Sequence, residues 1–403
     1  MDDRQRLLFV SPRFLFPVDS GGKIRTTQTL RGLKGGRFRI RLLSPSTPEQ
    51  FEQHRVALGE VCDEFLWWPD SRKGSTFHIA RAVHALNALP LPVRADWSAR
   101  AAELVRKALD ARPDVAVFDF LHAAVLAPEE LRCPSVLFTH YVETESFARH
   151  AQVARNVAMR ALWRNQTRKM RAFESAALKR FDVVVAVSDR DARVFAETCG
   201  VPGAIVLPTG VDLEYFSFCQ PDKDRDVVFC GSMDWLANQD AVAYFMDEVW
   251  GLVTEEVPDA RMTVIGRSPP QGLLRRAASR GLNWVFTGYV DDVRPHSSGA
   301  AVSVIPMRVA GGTRLKVFES MASGTPVVST AIGVEGLPVE DGRHYLRAED
   351  PKSFAGAVAR LMKDAGLRAR IADAARSFVE SRFSYRVAAQ AFEQACVAAI
   401  ERR

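Results

Sequence analysis

The sequence lacks the patterns that mark a disulfide framework or a metal centre. Its 403 residues include six cysteines but no C-x-x-C pair, and its eight histidines show no H-x-x-x-H spacing. Several cysteines lie in apolar runs, such as Cys230 in "VVFCGS", which is typical of reduced, buried thiols in a cytosolic protein. We therefore expect free cysteines and no metal site.

Long apolar runs are also absent. No run approaches the roughly 20 residues of a membrane-spanning helix, and the opening "MDDRQRLLFVSPRF" lacks the apolar core of a signal peptide. These absences predict a cytoplasmic protein that is soluble or attached only at the inner face of the membrane. The net charge of +6 mildly favours anionic partners, but it is too small to indicate a nucleic acid.

Short β-branched runs alternate with longer helical patterns, in two series. The first series of candidate strands comprises residues 6–10, 39–43, 114–120, 135–140, 182–188 and 204–208. The second comprises residues 226–232, 262–266, 284–288, 301–307, 326–330 and 344–348. Continuously apolar strands between helices indicate parallel sheets that are covered on both faces. The predicted fold class is therefore α/β, with two doubly wound, Rossmann-like domains.

The two series define the predicted domain organisation. An N-terminal domain (1–208) is followed by a linker (209–225), which carries Pro, Gly and clustered charges without periodicity. A C-terminal domain (226–380) and a strongly helical segment (381–403) complete the chain. We expect a cleft between the carboxyl ends of the strands, because open α/β sheets bind their ligands there.

The stretch "GGTRLKVFESMASGTPVVST" (311–330) follows a predicted strand and is the first candidate site. Gly311 and Gly312 would let the backbone approach a ligand closely. The helix that follows offers free N–H groups and the positive end of its dipole. Arg314 and Lys316 add full positive charge, so this stretch predicts an anion site, most naturally for a diphosphate. The alternative is an ordinary loop with solvated charges.

Three further loops follow predicted strands and could present bare backbone groups to a ligand. They contain Gly21 and Gly22 in "FPVDSGGKIRTT", Gly231, Ser232 and Met233 in "VVFCGSMDWLANQDAVAYF", and Tyr289 and Val290 in "FTGYVDD". The first loop is neither G-x-G-x-x-G nor G-x-x-x-x-G-K-[ST], so neither a dinucleotide fold nor a P-loop ATPase is indicated. For each loop the alternative is a structural turn.

Two ionisable side chains are candidates for chemistry. His140 ends a predicted strand, where an imidazole can act on a ligand. The alternative is a packing histidine, and Glu143 and Glu145 compete for any acid–base role. Glu319 lies beside the predicted phosphate cations, where a carboxylate would accept hydrogen bonds from hydroxyl groups such as those of a ribose.

Residues 150–180 form a basic amphipathic stretch with six arginines and two lysines. Such a helix can lie on an anionic membrane. A solvated surface helix is the alternative.

Taken together, these residues resemble the family-4 retaining glycosyltransferases of the GT-B fold. The resemblance extends over nearly the whole chain and includes the "SGG" loop, "PTGVD" at 208–212, "FCGSMDWLANQDAV" and "GGTRLKVFESMASGTPVV". The closing "FSYRVAAQAF" is similar to the family's last helix, which crosses back onto the first domain. The branch that builds bacterial exopolysaccharides and related glycans is the most similar.

The resemblance implies a role for each candidate residue. Arg314 and Lys316 would hold the diphosphate, Glu319 would bind the ribose, and His140 would lie beside the transferred sugar. The implied catalytic residues are His140, Arg314, Lys316 and Glu319. The implied sugar-donor site comprises Gly21, Gly22, Gly231, Ser232, Met233, Gly266, Arg267, Tyr289, Val290, Gly311, Gly312, Thr313, Arg314, Lys316 and Glu319.

The sequence departs from the family pattern at two places. The family's E-x7-E motif ends at Glu319, but Gly311 occupies the position of its first glutamate. The Arg and Lys that many members carry after the first strand of the second domain are replaced by "SMDWLAN". These departures imply that sugar recognition at residues 311 and 312 uses backbone groups, and that Arg314 and Lys316 carry more of the phosphate charge.

The resulting hypothesis is a retaining transfer of a sugar from a nucleotide diphosphate sugar to a hydroxyl group. The resemblance favours UDP, with GDP as the alternative, and a glycan, lipid-linked or small-molecule acceptor. No cofactor or metal is expected, since no D-x-D metal motif is convincing. Three rivals remain at this stage: a non-hydrolysing sugar-nucleotide epimerase, a nicotinamide oxidoreductase, and a non-catalytic membrane-associated binding protein.

Overall fold

The computed structural model describes residues 3–69, 88–154, 156–207, 210–309 and 315–403. The chain forms two compact units. The first unit consists of Met1–Gly210 and Tyr385–Arg403, and the second of Val211–Ser384.

The first unit contains a seven-stranded parallel sheet in the order β3-β2-β1-β4-β5-β6-β7. Its strands are β1 (Gln5–Val10), β2 (Phe38–Ser46), β3 (Glu64–Pro69), β4 (Val115–Asp119), β5 (Ser135–Phe138), β6 (Val183–Ala186) and β7 (Ile205–Val206). Its helices are α1 (Gly21–Leu33), α2 (Pro48–Gln53), α3 (Arg55–Val61), α4 (Leu91–Asp96), α5 (Ala99–Asp110), α6 (Glu143–Val153), α7 (Val157–Leu178), α8 (Asp189–Cys199) and, after the second unit, α16 (Tyr385–Glu401). A 3-10 turn covers Leu121–Val125.

The strand order of the first unit reverses between β1 and β4. Leu7 of β1 pairs with Ile40 of β2 on one side and with Val115 of β4 on the other. The chain winds outward from β1 through β3 and then returns to build the other half of the sheet. Ligands of doubly wound sheets bind at the carboxyl ends of the strands at such a reversal, which directs attention to the residues after β1, β4 and β5.

Helix α16 closes one face of the first sheet. Phe392 and Cys396 of α16 are fully buried with the apolar side chains of β1 and β5. Gly32 of α1 lies against Ala389 of α16, and a Cβ atom at Gly32 would overlap the Ala389 side chain. The absence of a side chain at Gly32 therefore allows the two helices to approach each other closely.

The second unit contains a six-stranded parallel sheet in the order β10-β9-β8-β11-β12-β13. Its strands are β8 (Lys223–Cys230), β9 (Arg261–Ile265), β10 (Trp284–Gly288), β11 (Ala300–Ile305), β12 (Val327–Ser329) and β13 (Leu346–Arg347). Its helices are α9 (Leu236–Tyr244), α10 (Trp250–Glu256), α11 (Gln271–Ser279), α12 (Arg294–Ser297), α13 (Leu315–Ala322), α14 (Pro351–Lys363) and α15 (Ala365–Arg382), with a π-helical turn at Phe245–Val249 and a 3-10 turn at Ile332–Val334.

The strand order of the second sheet reverses between β8 and β11. The carboxyl ends of these two strands lie side by side, since Val228 of β8 pairs with Ser303 of β11. The segments that leave them begin at Gly231 and Pro306. Two of the candidate binding stretches predicted from the sequence, the one with Gly231 and the one at 311–330, follow these two strands.

The predicted α/β class with two parallel sheets is confirmed, but several element bounds differ. The predicted strands 204–208 and 344–348 shorten to Ile205–Val206 and Leu346–Arg347, because each lies at a sheet edge and pairs on one side only. The second unit already includes residues 211–225, which the sequence assigned to a linker. The segment that returns to the first unit starts at Tyr385.

The basic stretch 150–180 was predicted as one helix, and the structure corrects this. Helix α6 ends at Val153 and α7 begins at Val157, with Asn156 as its N-cap. The Asn156 side chain accepts a hydrogen bond from the Met159 N–H at 2.8 Å, which is the geometry that starts a new helix. No helix in the described parts of the chain is both long and apolar enough to cross a membrane.

Candidate active site

In the first unit, three polar side chains meet at the strand reversal. Asp119 ends β4, His140 follows β5, and Arg25 belongs to the first turns of α1. His140 Nε2 lies 2.7 Å from Asp119 Oδ1, and Arg25 Nη1 lies 3.1 Å from His140 Nδ1. All three residues are buried, so the imidazole lies between an anion and a cation away from bulk water.

The surroundings of His140 favour its neutral form. Burial lowers the pKa of His140, Asp119 opposes this change, and the charges of Arg25 and Arg13 reinforce it. The ring also stacks on Phe120, with centroids 4.0 Å apart. The structure thus places His140 where the sequence predicted, at the end of β5, but both of its ring nitrogens already have protein partners.

The glycine turn that opens α1 lies directly over this cluster. A Cβ atom at Gly22 would lie 2.6 Å from two ring carbons of Phe120 and 3.9 Å from His140 Nδ1, so only glycine fits there without displacing Phe120. Phe120 itself has a φ of 63°, which is uncommon for a bulky residue and costs energy. Backbone strain of this kind concentrates at functional sites.

In the second unit, Gly231 leaves β8 and passes close to two neighbours. A Cβ atom at Gly231 would lie 2.7 Å from Asn238 Nδ2 and 2.8 Å from Lys316 Nζ. A Cβ atom at Gly266 would overlap the Gly231 carbonyl oxygen. Both glycines were predicted for the sugar-donor site. Gly266 is required by its close approach to the backbone of Gly231, whereas a side chain at Gly231 would displace the end of Asn238 or Lys316.

Lys316 extends from α13 to the start of α9. Its Nζ donates to Asn238 Oδ1 at 2.8 Å and lies 4.3 Å from the centroid of the Phe229 ring. Asn238 Nδ2 in turn donates to the Ser232 carbonyl oxygen at 2.8 Å. The lysine charge, the asparagine and the Gly231–Ser232 turn thus form one connected group.

Glu319 lies one turn along α13 from Lys316. Burial raises the pKa of Glu319 to about 7, and the nearby Lys316 charge opposes this rise. Burial also raises the pKa of Cys230 to about 12, and the Glu319 charge contributes to that rise. A carboxylate with this pKa exchanges its proton near neutral pH, and in its charged form it would accept hydrogen bonds from ligand hydroxyl groups.

The remaining predicted residues have less specific surroundings. Arg267 forms an ion pair with Asp234 at 2.8 Å and donates to Ser232 Oγ at 3.0 Å. Met233 is fully buried, whereas Tyr289 is 56% exposed, and Val290 is half-buried. Gly311, Gly312, Thr313 and Arg314 lie outside the described residues, so their roles stay predictions.

Sequence reasoning missed three residues of these clusters: Arg25, Asp119 and Asn238. The signal for Asp119 was present, because an acid at the end of a buried strand needs partners. The described residues contain no group of three or more His, Cys, Asp or Glu side chains that could hold a metal ion.

Two family models match most of the chain. The model described as Glycosyltransferase Family 4 matches residues 20–215, and the model described as Glycosyl transferases group 1 matches residues 224–364. The chain belongs to the family-4 type of glycosyltransferases. The family predicted from the strand-end motifs is thereby confirmed.

Two curated relatives resemble parts of this glycosyltransferase. An uncharacterized 44.6 kDa protein in the cps region of Klebsiella pneumoniae is 26% identical over 165 residues, which cover 39% of this chain and 42% of the relative. The lipopolysaccharide core biosynthesis glycosyltransferase LpsE of Rhizobium meliloti is 34% identical over 112 residues, covering 27% of this chain and 32% of LpsE. These alignments therefore span less than half of each relative.

Solved structures confirm the GT-B fold of this glycosyltransferase. HepE of Anabaena, in complex with UDP and glucose, has a TM-score of 0.68 at 14% identity, over 97% of this chain and 99% of HepE. Sucrose-phosphate synthase of Thermosynechococcus elongatus has a TM-score of 0.73 at 18% identity, over 97% and 98% of the two chains. TarM of S. aureus has a TM-score of 0.70 at 10% identity, over 98% and 99%.

Proposed function

We propose that this glycosyltransferase moves a sugar from a nucleoside diphosphate sugar to a hydroxyl group, with retention of the anomeric configuration. One arrangement carries the proposal: Lys316 and Glu319 on one face of α13, next to the Gly231–Ser232 turn at the reversal of the second sheet. A cation there suits a diphosphate, and a carboxylate one turn away suits the ribose hydroxyls. These are the two groups that a nucleoside diphosphate presents.

The nucleotide of the sugar donor is proposed to be UDP. HepE has been crystallised with UDP and with UDP-glucose, and a variant of TarM with UDP. Both proteins share the fold of this chain, and this supports a uridine nucleotide. GDP is the alternative, and the thermal-stabilisation experiment described below distinguishes it from UDP.

Charge stabilisation is the proposed source of the rate acceleration. Lys316, together with Arg314, Gly311, Gly312 and Thr313 as predicted from the sequence, would stabilise the negative charge that develops on the leaving diphosphate. The acceptor proton would pass to an oxygen of that diphosphate. No metal ion is required in this scheme, because protein cations supply the positive charge. In the first unit, the Gly21–Gly22 turn and His140 are proposed to contact the sugar or the acceptor.

The proposed acceptor is a glycan, and the first unit carries a surface suited to a lipid-linked one. Between residues 146 and 173 there are seven cations and no Asp or Glu. Val157, Met159 and Leu162 on α7 are 78%, 41% and 38% exposed. An open surface groove of about 460 Å³ between α6 and α7 is lined by Ala148, Ala151, Gln152, Arg160, Arg164 and Thr167.

Cations beside exposed apolar side chains are the composition of a helix that lies on an anionic membrane. We therefore propose a peripheral membrane contact on this α6–α7 surface. Attachment there would hold the first unit next to lipid-linked acceptors, which present their phosphates and their first sugars at the membrane surface.

Ligand-induced thermal stabilisation tests the choice of sugar donor. UDP, GDP, dTDP, ADP and NAD are added separately, with and without EDTA. A ligand at 100 times its dissociation constant should stabilise the fold by about 2.7 kcal/mol, which is a visible shift in Tm. Stabilisation by UDP that EDTA leaves unchanged supports the proposal. A response to NAD alone contradicts it.

Turnover provides the second half of the test. Lys316→Met should abolish the stabilisation by UDP and most of the transfer from UDP-sugars. Lys363→Met is the matched control, since Lys363 lies in the same unit and forms an ion pair with Glu256. The anomeric configuration of the product, read by NMR, decides between retention and inversion.

A further inference from the structure

We propose that Arg25 and Asp119 act as positioning residues that hold His140 as a neutral imidazole with its proton on Nε2, which removes His140 from proton transfer. The inference concerns the reaction proposed above. Its primary readout needs no substrate, however, so it can fail or succeed independently of that reaction.

The geometry assigns the tautomer. Arg25 has only donors on its guanidinium, so the 3.1 Å contact between Arg25 Nη1 and His140 Nδ1 requires a lone pair on Nδ1. The ring proton then lies on Nε2, which donates to Asp119 Oδ1 at 2.7 Å. In the opposite tautomer, an N–H on Nδ1 would face the N–H of Arg25, and Nε2 would face the carboxylate without a proton between them.

The charges around the ring disfavour a second proton. Arg25 faces His140 from α1 and Asp119 faces it from β4, while Arg13 approaches from the segment after β1. Protonation would add a third cation beside Arg25 and Arg13, and Asp119 is the only carboxylate that contacts the ring among the described residues. Arg25 itself stays protonated near neutral pH, since burial lowers its pKa only to about 10, against the opposing effects of Asp191 and Asp119.

Asp119 is fixed by more than the histidine. Its carboxylate also accepts from Ser11 Oγ at 3.0 Å and from Thr26 Oγ1 at 3.0 and 3.1 Å. Thr26 follows Arg25 on α1. One turn of that helix therefore contacts both His140, through Arg25, and Asp119, through Thr26. The Gly21–Gly22 turn opens the same helix, and this connects Arg25, His140 and Asp119 to the residues proposed to contact the sugar or the acceptor.

With both nitrogens occupied, His140 supports the reaction through its shape. Its ring stacks on Phe120, and Phe120 fills the space left by the missing side chain of Gly22. The hydrogen-bonded group of Arg25, His140 and Asp119 therefore fixes the position of the Phe120 ring next to Gly22. A general base at this position would instead need one ring nitrogen within reach of the acceptor hydroxyl.

The test is NMR of the full-length protein labelled with ¹⁵N-histidine, with His140 assigned by comparison with His140→Gln. We expect an Nε2–H imidazole that does not become protonated between about pH 5.5 and 8, the range in which ordinary histidines titrate. A proton on Nδ1, or protonation of His140 near the usual histidine pKa, would overturn the inference. The chain has eight histidines, so His140→Asn is the second variant for the assignment if His140→Gln fails to fold.

Arg25→Met tests the positioning role. Without the guanidinium, the pKa of His140 should rise, because the Arg25 charge that opposes protonation is lost while Asp119 still favours it. The transfer rate should then gain an acidic limb in its pH profile. Arg25→Lys should restore much of the wild-type behaviour, because it keeps a buried cation and donor. Arg31→Met is the control, since Arg31 lies on the same helix and pairs with Glu60 at the surface. An unchanged spectrum in Arg25→Met would show that Arg25 does not set the state of the ring.

Discussion

Lys316 donates to Asn238 across 78 positions of sequence, with Nζ 2.8 Å from the amide oxygen. The contact joins α13, near its first residue Leu315, to the start of α9. The Asn238 side-chain amide in turn donates a hydrogen bond to the Ser232 carbonyl oxygen, which fixes the orientation of the amide. The position of the lysine charge is thus set by side-chain contacts as well as by the backbone of its own helix.

This contact predicts coupled losses of activity. Lys316→Met should lower kcat/KM by about 100-fold or more, the usual effect of removing one charge-stabilising group. Asn238→Ala should lower it by about tenfold, because the lysine keeps its charge but loses a fixed position. If the asparagine acts through the lysine, the double variant should be no worse than Lys316→Met. Strictly additive losses in the double-mutant cycle would contradict the coupling.

Gly231→Ala should weaken nucleotide binding. The added Cβ atom would lie 2.7 Å from Asn238 Nδ2 and 2.8 Å from Lys316 Nζ, so one of these side chains has to move. Loss of a well-placed hydrogen bond to a charged group costs about 1.5–3 kcal/mol, which corresponds to about 10-fold or more in Kd for UDP. Gly272→Ala is the control, since a Cβ atom there meets no neighbour within 4 Å. Calorimetric titration of both variants gives the comparison.

Glu319 should make nucleotide binding depend on pH. Its folded pKa is raised to about 7, so the carboxylate that would accept the ribose hydroxyls forms only as the pH rises through neutrality. We expect the affinity for UDP to increase between pH 6 and 8, spanning the pKa of about 7, and to increase less steeply in Glu319→Gln, where only the ionisation of the UDP phosphate at about pH 6 remains. An affinity that is flat over this range in the wild type would contradict the assignment.

The raised pKa of Glu319 also predicts that the free energy of unfolding falls as the pH rises, whereas the affinity for UDP increases. The folded protein binds the Glu319 proton more tightly than the unfolded chain does. The stabilisation is therefore complete below the unfolded pKa of 4.5 and is lost as the pH rises through about 7. Glu174, whose pKa is also raised to about 7 by burial, contributes in the same direction. The difference in unfolding free energy between wild type and Glu319→Gln isolates the Glu319 contribution.

The sequence was sufficient for the fold and for one glycine in each of the two clusters. Apolar strands between helices indicated two parallel sheets, and Gly22 and Gly231 were identified because glycines after strands allow close approach. The side-chain contacts within each cluster were not predictable in the same way. Arg25 and His140 are 115 positions apart, and a helical pattern shows only which face a residue occupies. The pattern does not identify the residue, distant in sequence, that contacts a side chain on that face. Arg25 therefore resembled a surface cation in a helix with alternating polar residues.

Gly32→Ala should destabilise the protein. A Cβ atom at Gly32 would overlap Ala389 of α16, and overpacking of this kind costs about 1–3 kcal/mol. Gly59→Ala in α3 is the matched control, since its Cβ atom would meet nothing within 4 Å; there, alanine should stabilise the protein by about 0.4–1 kcal/mol. Chemical denaturation of the two variants should therefore shift in opposite directions. Equal behaviour would show that α16 adjusts its position to accept the methyl group.

The membrane contact predicts a charge-dependent affinity for vesicles. Arg160, Arg164 and Arg168 lie on the exposed face of α7, and each basic residue near an anionic surface contributes about 1 kcal/mol. Replacing all three with glutamine should therefore lower the partition coefficient onto vesicles that contain phosphatidylglycerol by about 100-fold, or about 3 kcal/mol. Binding to phosphatidylcholine vesicles should be weak for both proteins.

The control for this experiment changes the same net charge in the same unit. Arg100, Arg106 and Lys107 are exposed on α5, and their replacement by glutamine should leave vesicle binding nearly unchanged. Equal losses in the two triple variants would mean that net charge attracts the protein without a defined surface. If the α7 variant also keeps full transfer to a water-soluble acceptor but loses transfer to a lipid-linked one, then the α6–α7 surface acts by bringing the enzyme to its acceptor. A loss of both activities would instead place these arginines in the catalytic machinery.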